Sequence, residues 1–429
     1  MADIDSQGTE CSLAVVLLPI VLEMPKVWSA KRIFQNRNLT FLWLGQMFSQ
    51  SGDSIYQIGL LWLVLELSGS EAITGLVAMS SYLPAVLLAL YVGVMADRKD
   101  RRRIMLTADA IRTLLVLLVP VAFMLGFLNP IFLAINAFAI AITASFFNPA
   151  RDSLVPQIVP QNGLLRANSL IQTSWQFSLL LGPAIAGLLL HVAGKIHLFS
   201  FNSLAYLFSF LCVFFIISER KPQISKRDWG FSEIREGLIY VLKQPVILPL
   251  LLITIADNLF IMGPAIVGTP VFVKQELGLG AEAYAAIQAC YAVGMLLGTA
   301  ALLTLGSRFK KGQLLLTGMV LDGITFIPLF FVHSLWGMGI TIVIHSLAIP
   351  LLTVSRTSII QDIVPVNLTG RVFALVNMAV VGMSAISSGI IGFALEAWGA
   401  PSVFLIIGMG GGLCGVIGWV FASTLRSKS

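Results

Sequence analysis

The chain has 429 residues, 57% of them hydrophobic and 11% charged, with a mean hydropathy of +0.90. Soluble domains carry about 25% charged residues, so this composition excludes a soluble globular protein and points to an all-α integral membrane chain. The net charge of +6 is spread along the sequence between apolar runs, which argues against a nucleic-acid-binding face.

Residues 1–35 read as an amino-terminal extension. Their apolar run LAVVLLPIVL is too short to cross a bilayer, and Asp3, Asp5 and Glu10 precede it without any Lys or Arg, which makes a poor secretory signal. Met24 offers an alternative start. A spanning helix needs about 20 apolar residues, and runs of that size follow at 39–67, 72–96, 104–127, 131–147, 169–193 and 198–217. Residues 219–245 form a charged connection. Within it Phe231, Ile234, Leu238 and Val241 recur at helical spacing, predicting a short helix on the membrane face or on the bundle. Further runs lie at 246–273, 283–305, 314–332, 335–354, 372–397 and 402–421, and residues 424–429 are left as a tail. The expectation is twelve transmembrane helices, divided into units 36–218 and 246–423.

If the amino terminus is cytoplasmic, Lys195 and Lys274 are the members of the chain's 27 Lys and Arg that fall in outward connections, and Arg112 lies within a span. That bias is the positive-inside distribution, and it places both termini in the cytoplasm of a multi-pass protein of the plasma (cell inner) membrane. Cys11, Cys212, Cys290 and Cys414 are scattered without metal or disulfide spacing. No metal, cofactor or nucleotide-binding loop is expected, and no enzyme signature appears.

Comparison of the chain with itself shows a duplication. RDSLVPQIVPQNGLLR (151–166) matches RTSIIQDIVPVNLTGR (356–371) at an offset of 205 without a gap, pairing Arg151 with Arg356, Pro160 with Pro365 and Arg166 with Arg371. Both copies read as connections, after the fourth and the tenth span. A repeat six spans long gives two pseudo-symmetric six-helix bundles of the same orientation, a known transporter arrangement.

Gly93, Asp97, Arg98, Arg101 and Arg102 fit the pattern G-x-x-x-D-R-x-x-R-R between the second and third spans, and in this the chain resembles the major facilitator superfamily. The stretches LWLGQMFSQSGDSIYQIGLLWLVLELSGS and NPARDSLVPQIVP are similar to its twelve-helix drug exporters, which include macrolide and siderophore efflux pumps. The resemblance implies that Asp97 meets the start of the eleventh helix, where negative charge is favoured by about 0.3–1 kcal/mol, and so gates the cytoplasmic side. LGPAIAG, with Gly182, Pro183 and Gly187, is similar to a motif of the fifth helix associated with antiporters, Ala186 standing where a glycine is usual. A pliable, close contact of that helix with the other half follows from it. Many proton-coupled relatives carry an arginine in the fourth helix, and 131–147 has none.

An ionised group in mid-membrane costs at least about 2.5–3.5 kcal/mol and is functional or paired. Asp53 in the first span and Asp257 in the seventh correspond at an offset of 204. They are expected to take up protons or meet a cationic group of the cargo, the alternative being that each caps a helix break. Asp109 and Arg112 lie one turn apart and can pair, and at an offset of 210 Arg112 becomes Asp322, an exchange of sign. His345 reads as a packed, hydrogen-bonded residue, and Glu66 and Glu396 as solvated. Gln46, Gln50, Gln57, Gln172, Trp175, Gln176, Asn258, Asn377 and Met378 fall on spans expected to face the centre; amides, an aromatic and a methionine suit bulky amphipathic cargo. The expected partners are a small-molecule substrate, protons and lipid, without nucleic acid, and the protein is expected to be a monomer. Two readings compete with a proton-exchanging exporter. One is uptake or flipping of a lysophospholipid-like molecule, the other a membrane scaffold or receptor that transports nothing.

Overall fold

A computed structural model describes residues 36–89, 91, 99–160, 163–217 and 231–428. The extension 1–35 and the residues Gly93, Asp97 and Arg98 lie outside the described residues. The described chain is helical, and its helix starts are set by local chemistry. α1 (Arg37–Ser68), α2 (Glu71–Leu87), α3 (Arg101–Met124) and α4 (Pro130–Ile158) begin behind Asn36, Ser70, Asp100 and Asn129, whose side chains accept a backbone N–H of the first turn. α5 (Leu164–Val192) and α6 (His197–Phe214) complete this half. A connecting helix, Phe231–Lys243, leads to α7 (Ile247–Gln275), which contains a π-turn at Pro264–Gly268. α8 (Ala281–Leu305), α9 (Lys311–Ile324, then a 3₁₀ turn Ile327–Phe331), α10 (Leu335–Ile363), α11 (Val366–Trp398) and α12 (Ala400–Phe421) follow.

Ten of the described helices are long and apolar enough to cross a membrane, and Glu71–Leu87 is a shorter apolar helix. α1 is 32 residues long, but Gln46, Gln50, Asp53 and Gln57 interrupt its hydropathy. The protein is an all-α, multi-pass membrane protein.

Packing repeats along the chain. α1 lies on α5 and α6, α3 on α4 and α6, and α2 on α4; six helices later α7 lies on α11 and α12, α9 on α10 and α12, and α8 on α10. The main contacts that cross between the halves, α2 with α11 and α5 with α8, are likewise counterparts.

The two ends of the molecule differ. Arg37, Arg101, Arg151, Lys311, Arg371 and Arg426 lie toward one end, called basic below. There each half has its own core, Leu42, Met105, Leu154 and Leu170 in the first and Leu250, Leu316, Ile360 and Val372 in the second. Toward the opposite end a single core joins both halves, with Trp62, Leu65 and Ala186 packed among Phe272, Tyr284, Ala285 and Leu395. The Trp62 and Tyr284 rings stack at 6.3 Å. Lys274 Nζ donates to the Leu65 carbonyl at 2.8 Å and Gln275 bonds Glu71, both across the halves. The halves are thus joined at the far end and separate at the basic end. Hydrogen bonds from a charged group contribute roughly 1.5–3 kcal/mol, so Lys274→Met is expected to open the far end about tenfold more often. Labelling of Ala285→Cys by an impermeant maleimide, in a chain cleared of its other cysteines, measures this; unchanged labelling would refute it.

Two expectations are corrected. The repeated segments are not connections in their first eight residues: Arg151–Ile158 and Arg356–Ile363 continue α4 and α10, because Leu154, Val155, Ile158, Ile359 and Ile360 pack into the basic-end cores. The fourth helix therefore does carry an arginine, Arg151, whose Nη1 donates to Gln46 at 2.9 Å. Glu66 and Glu396 are exposed, as expected, Glu66 pairing with Lys195 at the surface and Glu396 accepting from the Ser70 hydroxyl at 3.2 Å.

Candidate functional site

Between the halves lies a cavity of about 1070 Å³. Its wall begins at Ile58, Leu61 and Tyr284 near the joined end and reaches Thr357 and Gln361 in the last turns of α10, so it opens toward the basic end. Helical spacing brings its polar groups together. On α1, Gln50, Asp53, Ser54 and Gln57 share one face, and on α7 Asp257, Asn258, Ile261, Met262 and Ala265 do the same. α5 adds Gln172, Trp175, Gln176 and Pro183.

In the first half Asp53, Asp109 and Arg112 each have a side-chain partner, although Arg112 Nε itself has none. Asp53 accepts from the Tyr206 hydroxyl within an unbroken α1, so it caps no helix break. Behind it Arg112 bonds Asp109, and both are almost wholly buried. The guanidinium carbon lies 4.4 Å from the ring centres of Phe147 and of Tyr206, and Ser209 donates to the second Asp109 oxygen at 2.8 Å.

The second half is arranged differently, because Asp322 occupies the place of Arg112. Asp257, Asp322, His345 and Arg356 all line the cavity. His345 stacks on Phe326 at 4.0 Å, its Nδ1 lies 3.0 Å from the Thr325 hydroxyl, and its Nε2 lies 3.6 Å from Asp322 Oδ1.

Of the residues picked from sequence for the cavity, Gln50, Gln57, Gln172, Trp175, Gln176 and Asn258 line it together with Asp53 and Asp257. Gln46, Asn377 and Met378 do not: Gln46 is turned to Arg151, Asn377 is exposed, and Val380 is the residue that α11 presents to the wall. Arg101 and Arg102 stand at the start of α3, where Arg102 donates to the carbonyls of Val213 (3.2 Å) and Phe214 (2.5 Å) and so caps α6 of its own half. Gly182 does not face the other half. A Cβ there would fall 2.5 Å from that of Ser54 in α1, whereas Gly187 does look across, toward Ala285. Tyr82, Tyr291, Gln288, Asp322 and Arg356 were missed as wall residues. The spacing of Tyr284, Gln288, Tyr291 and Met295 along α8 carried a readable signal; Arg356 carried none, since it lies in a polar run read as a connection.

A cavity at the junction of two repeated helical units, open at one end and sealed at the other, defines a secondary transporter of the major facilitator fold. The chain belongs to the transmembrane secretion effector family of that superfamily, whose profile matches residues 29–425. It is 26% identical to macrolide efflux protein A of Streptococcus pyogenes, over 80% of this chain and 86% of that protein. It is 25% identical to the multidrug efflux pump Tap of Mycolicibacterium fortuitum, over 88% of this chain and 93% of that one. Among solved structures the nucleoside transporter NupG superposes with a TM-score of 0.75 at 10% identity, covering 89% of this chain and 99% of that one, a likeness of fold. These relatives are named as transporters, in keeping with a protein that moves small molecules rather than transforming them.

Proposed function

We propose that the protein exports amphipathic small molecules, of the drug, macrolide or siderophore class, by alternating access in exchange for protons. Twelve helices in two six-helix bundles rock about the cavity, both termini face the cytoplasm of a bacterial plasma membrane, and the unit is a monomer. The observation that carries this reading is the cavity wall. Asp53, Asp257 and Asp322 stand there among amides, Trp175 and tyrosines, and Arg356 is its one Arg or Lys among the described residues. A sugar or phosphate carrier would call for a denser set of polar or paired arginine groups. The basic end is the cytoplasmic one on the positive-inside distribution, so the structure corresponds to the inward-open state. In the outward-open state Gly93, Asp97, Arg98, Arg101 and Arg102 would gate that end. The names of the macrolide and multidrug relatives agree with outward movement.

Asp53 and Asp257 are the residues proposed to exchange protons or meet the cargo. Asp53→Asn removes the ionisable group while keeping a partner for Tyr206, and is expected to abolish accumulation driven by an imposed pH step in reconstituted vesicles. Dyes, macrolides and siderophores serve as cargo. Accumulation equal to that of the unsubstituted protein would exclude Asp53 as the coupling group. Absence of movement of any cargo by the unsubstituted protein would favour a scaffold, and uptake in the opposite direction a lipid-like cargo.

A further inference from the structure

α11 turns one stripe of its surface toward α2. From the far end downward, Gly392 meets Gly75, Gly389 meets Met79 and Gly382 meets Val86. Leu375 and Arg371 continue that stripe toward the basic end at the same helical spacing. There the neighbour changes. A Cβ on Gly237 of the connecting helix would fall 3.0 Å from the Arg371 Cβ and 3.5 Å from the Leu375 Cδ1, so this helix lies on the stripe where α2 no longer does.

The connecting helix is held by the second half, on α11 and α7. Val241 is 1% exposed and joins the basic-end core, Glu236 pairs with Arg371 at 2.5 Å, and the Tyr240 hydroxyl donates to the Ile363 carbonyl at 3.4 Å. Leu238, Ile239 and Leu242 stay exposed, so only one edge of the helix is committed to the bundle. Residues 244–246 join it to α7 and offer a joint about which it can swing as a unit. A helix with its side chains is about 10 Å across. While it lies on Arg371 and Leu375, α2 cannot come down onto α11 there as it does at Gly389 and Gly392, and the halves stay parted at the basic end.

We propose that the connecting helix is a removable wedge, which holds the basic end open by occupying the α2-facing stripe of α11 and leaves when α2 takes its place. The proposal rests on the alternating-access reading and adds what sets the balance between the two states. One stripe has two competing occupants. A change that lifts the helix therefore favours the state open at the far end, and a change that pins it to α11 forbids that state.

Two variants of the full chain test this in a background cleared of the native cysteines and carrying Ala285→Cys, whose labelling by an impermeant maleimide measures opening at the far end. Gly237→Leu crowds Arg371 and lifts the helix, so labelling is expected to rise about fivefold or more. Gly237→Cys with Arg371→Cys does the reverse. Their Cβ positions lie close to the separation of about 3.8 Å that a disulfide needs, and oxidation pins the helix to α11. Oxidation is expected to suppress labelling and to stop accumulation in vesicles, and a reductant to restore both, while Gly237→Cys alone shows no response to oxidant. Labelling unchanged by Gly237→Leu in a protein that elutes as a single species overturns the proposal. So does equal labelling of the oxidised and reduced pair, since the helix would then ride on α11 through the whole cycle; if Gly237→Leu does not fold, this pair decides alone. Labelling requires no cargo, so a protein whose labelling obeys the disulfide but which accumulates nothing would sink the export reading and leave the wedge standing.

Discussion

Replacing Arg112 with leucine is expected to destabilise the protein by about 3–5 kcal/mol, the cost of stranding one member of a buried ion pair. Arg112 bonds Asp109 and lies between the rings of Phe147 and Tyr206, 3% exposed, with Asp109 wholly covered. Without the guanidinium, Asp109 keeps the Ser209 hydroxyl as its remaining donor among the described side chains, and Asp53 loses the cation whose field reaches it. Lysine is a poor substitute, since its point charge lacks the planar fork that stacks between two rings. The double change Asp109→Leu with Arg112→Leu should recover most of the loss, because an apolar pair of similar volume leaves no charge unmet. Thermal unfolding of the purified variants decides the matter: a single variant as stable as the unsubstituted protein, or a double variant no better than the single, would remove Arg112 from its structural role. The pair thus fixes the position of α3 against α6, and through Tyr206 it fixes Asp53 at the cavity.

Much of the site was legible because helical periodicity is local. Gln50, Asp53 and Gln57 fall on one face of α1 whatever surrounds them, and a carboxylate in an apolar run announces itself. The duplication was equally visible, and the packing of α1 on α5 and α6 recurs as α7 on α11 and α12. What escaped was decided by contacts between distant segments. Arg151 and Arg356 sit in polar runs that hydropathy treats as connections, yet tertiary cores at the basic end extend both helices by two turns beneath Leu154 and Ile359. Gly182 was aimed at the wrong neighbour for a similar reason: a glycine shows that something comes close, and Ser54 of the same half is what does. Asp322 was seen as the sign-reversed partner of Arg112, but its place beside Asp257 required the rotation of α9 to be known.

Placing a leucine at position 75 is expected to drive the protein away from the state seen here. α2 and α11 cross at Gly75 and Gly392, toward the joined end. A Cβ on Gly75 would lie 2.5 Å from the Ser388 carbonyl oxygen and 2.8 Å from the Gly392 Cα, and a Cβ on Gly392 would lie 2.7 Å from the Glu71 carbonyl oxygen. These neighbours are backbone, so no rotamer change relieves the clash and the two helices must separate. Gly389, one turn earlier on α11, supplies the contrast: its Cβ would meet the Met79 sulfur at 3.0 Å, the end of a flexible side chain that can yield. Overpacking costs about 1–3 kcal/mol, which moves a two-state equilibrium about 5- to 150-fold. In an alternating-access protein that cost falls on the state in which the halves touch at this crossing, and the state open at the far end escapes it. Gly75→Leu should therefore raise maleimide labelling of Ala285→Cys, and vesicle accumulation should fall because the cycle stalls, while Gly389→Ala should leave both nearly unchanged. Unaltered labelling in a folded Gly75→Leu protein would mean that the crossing does not open during transport, and the two halves would then have to part elsewhere.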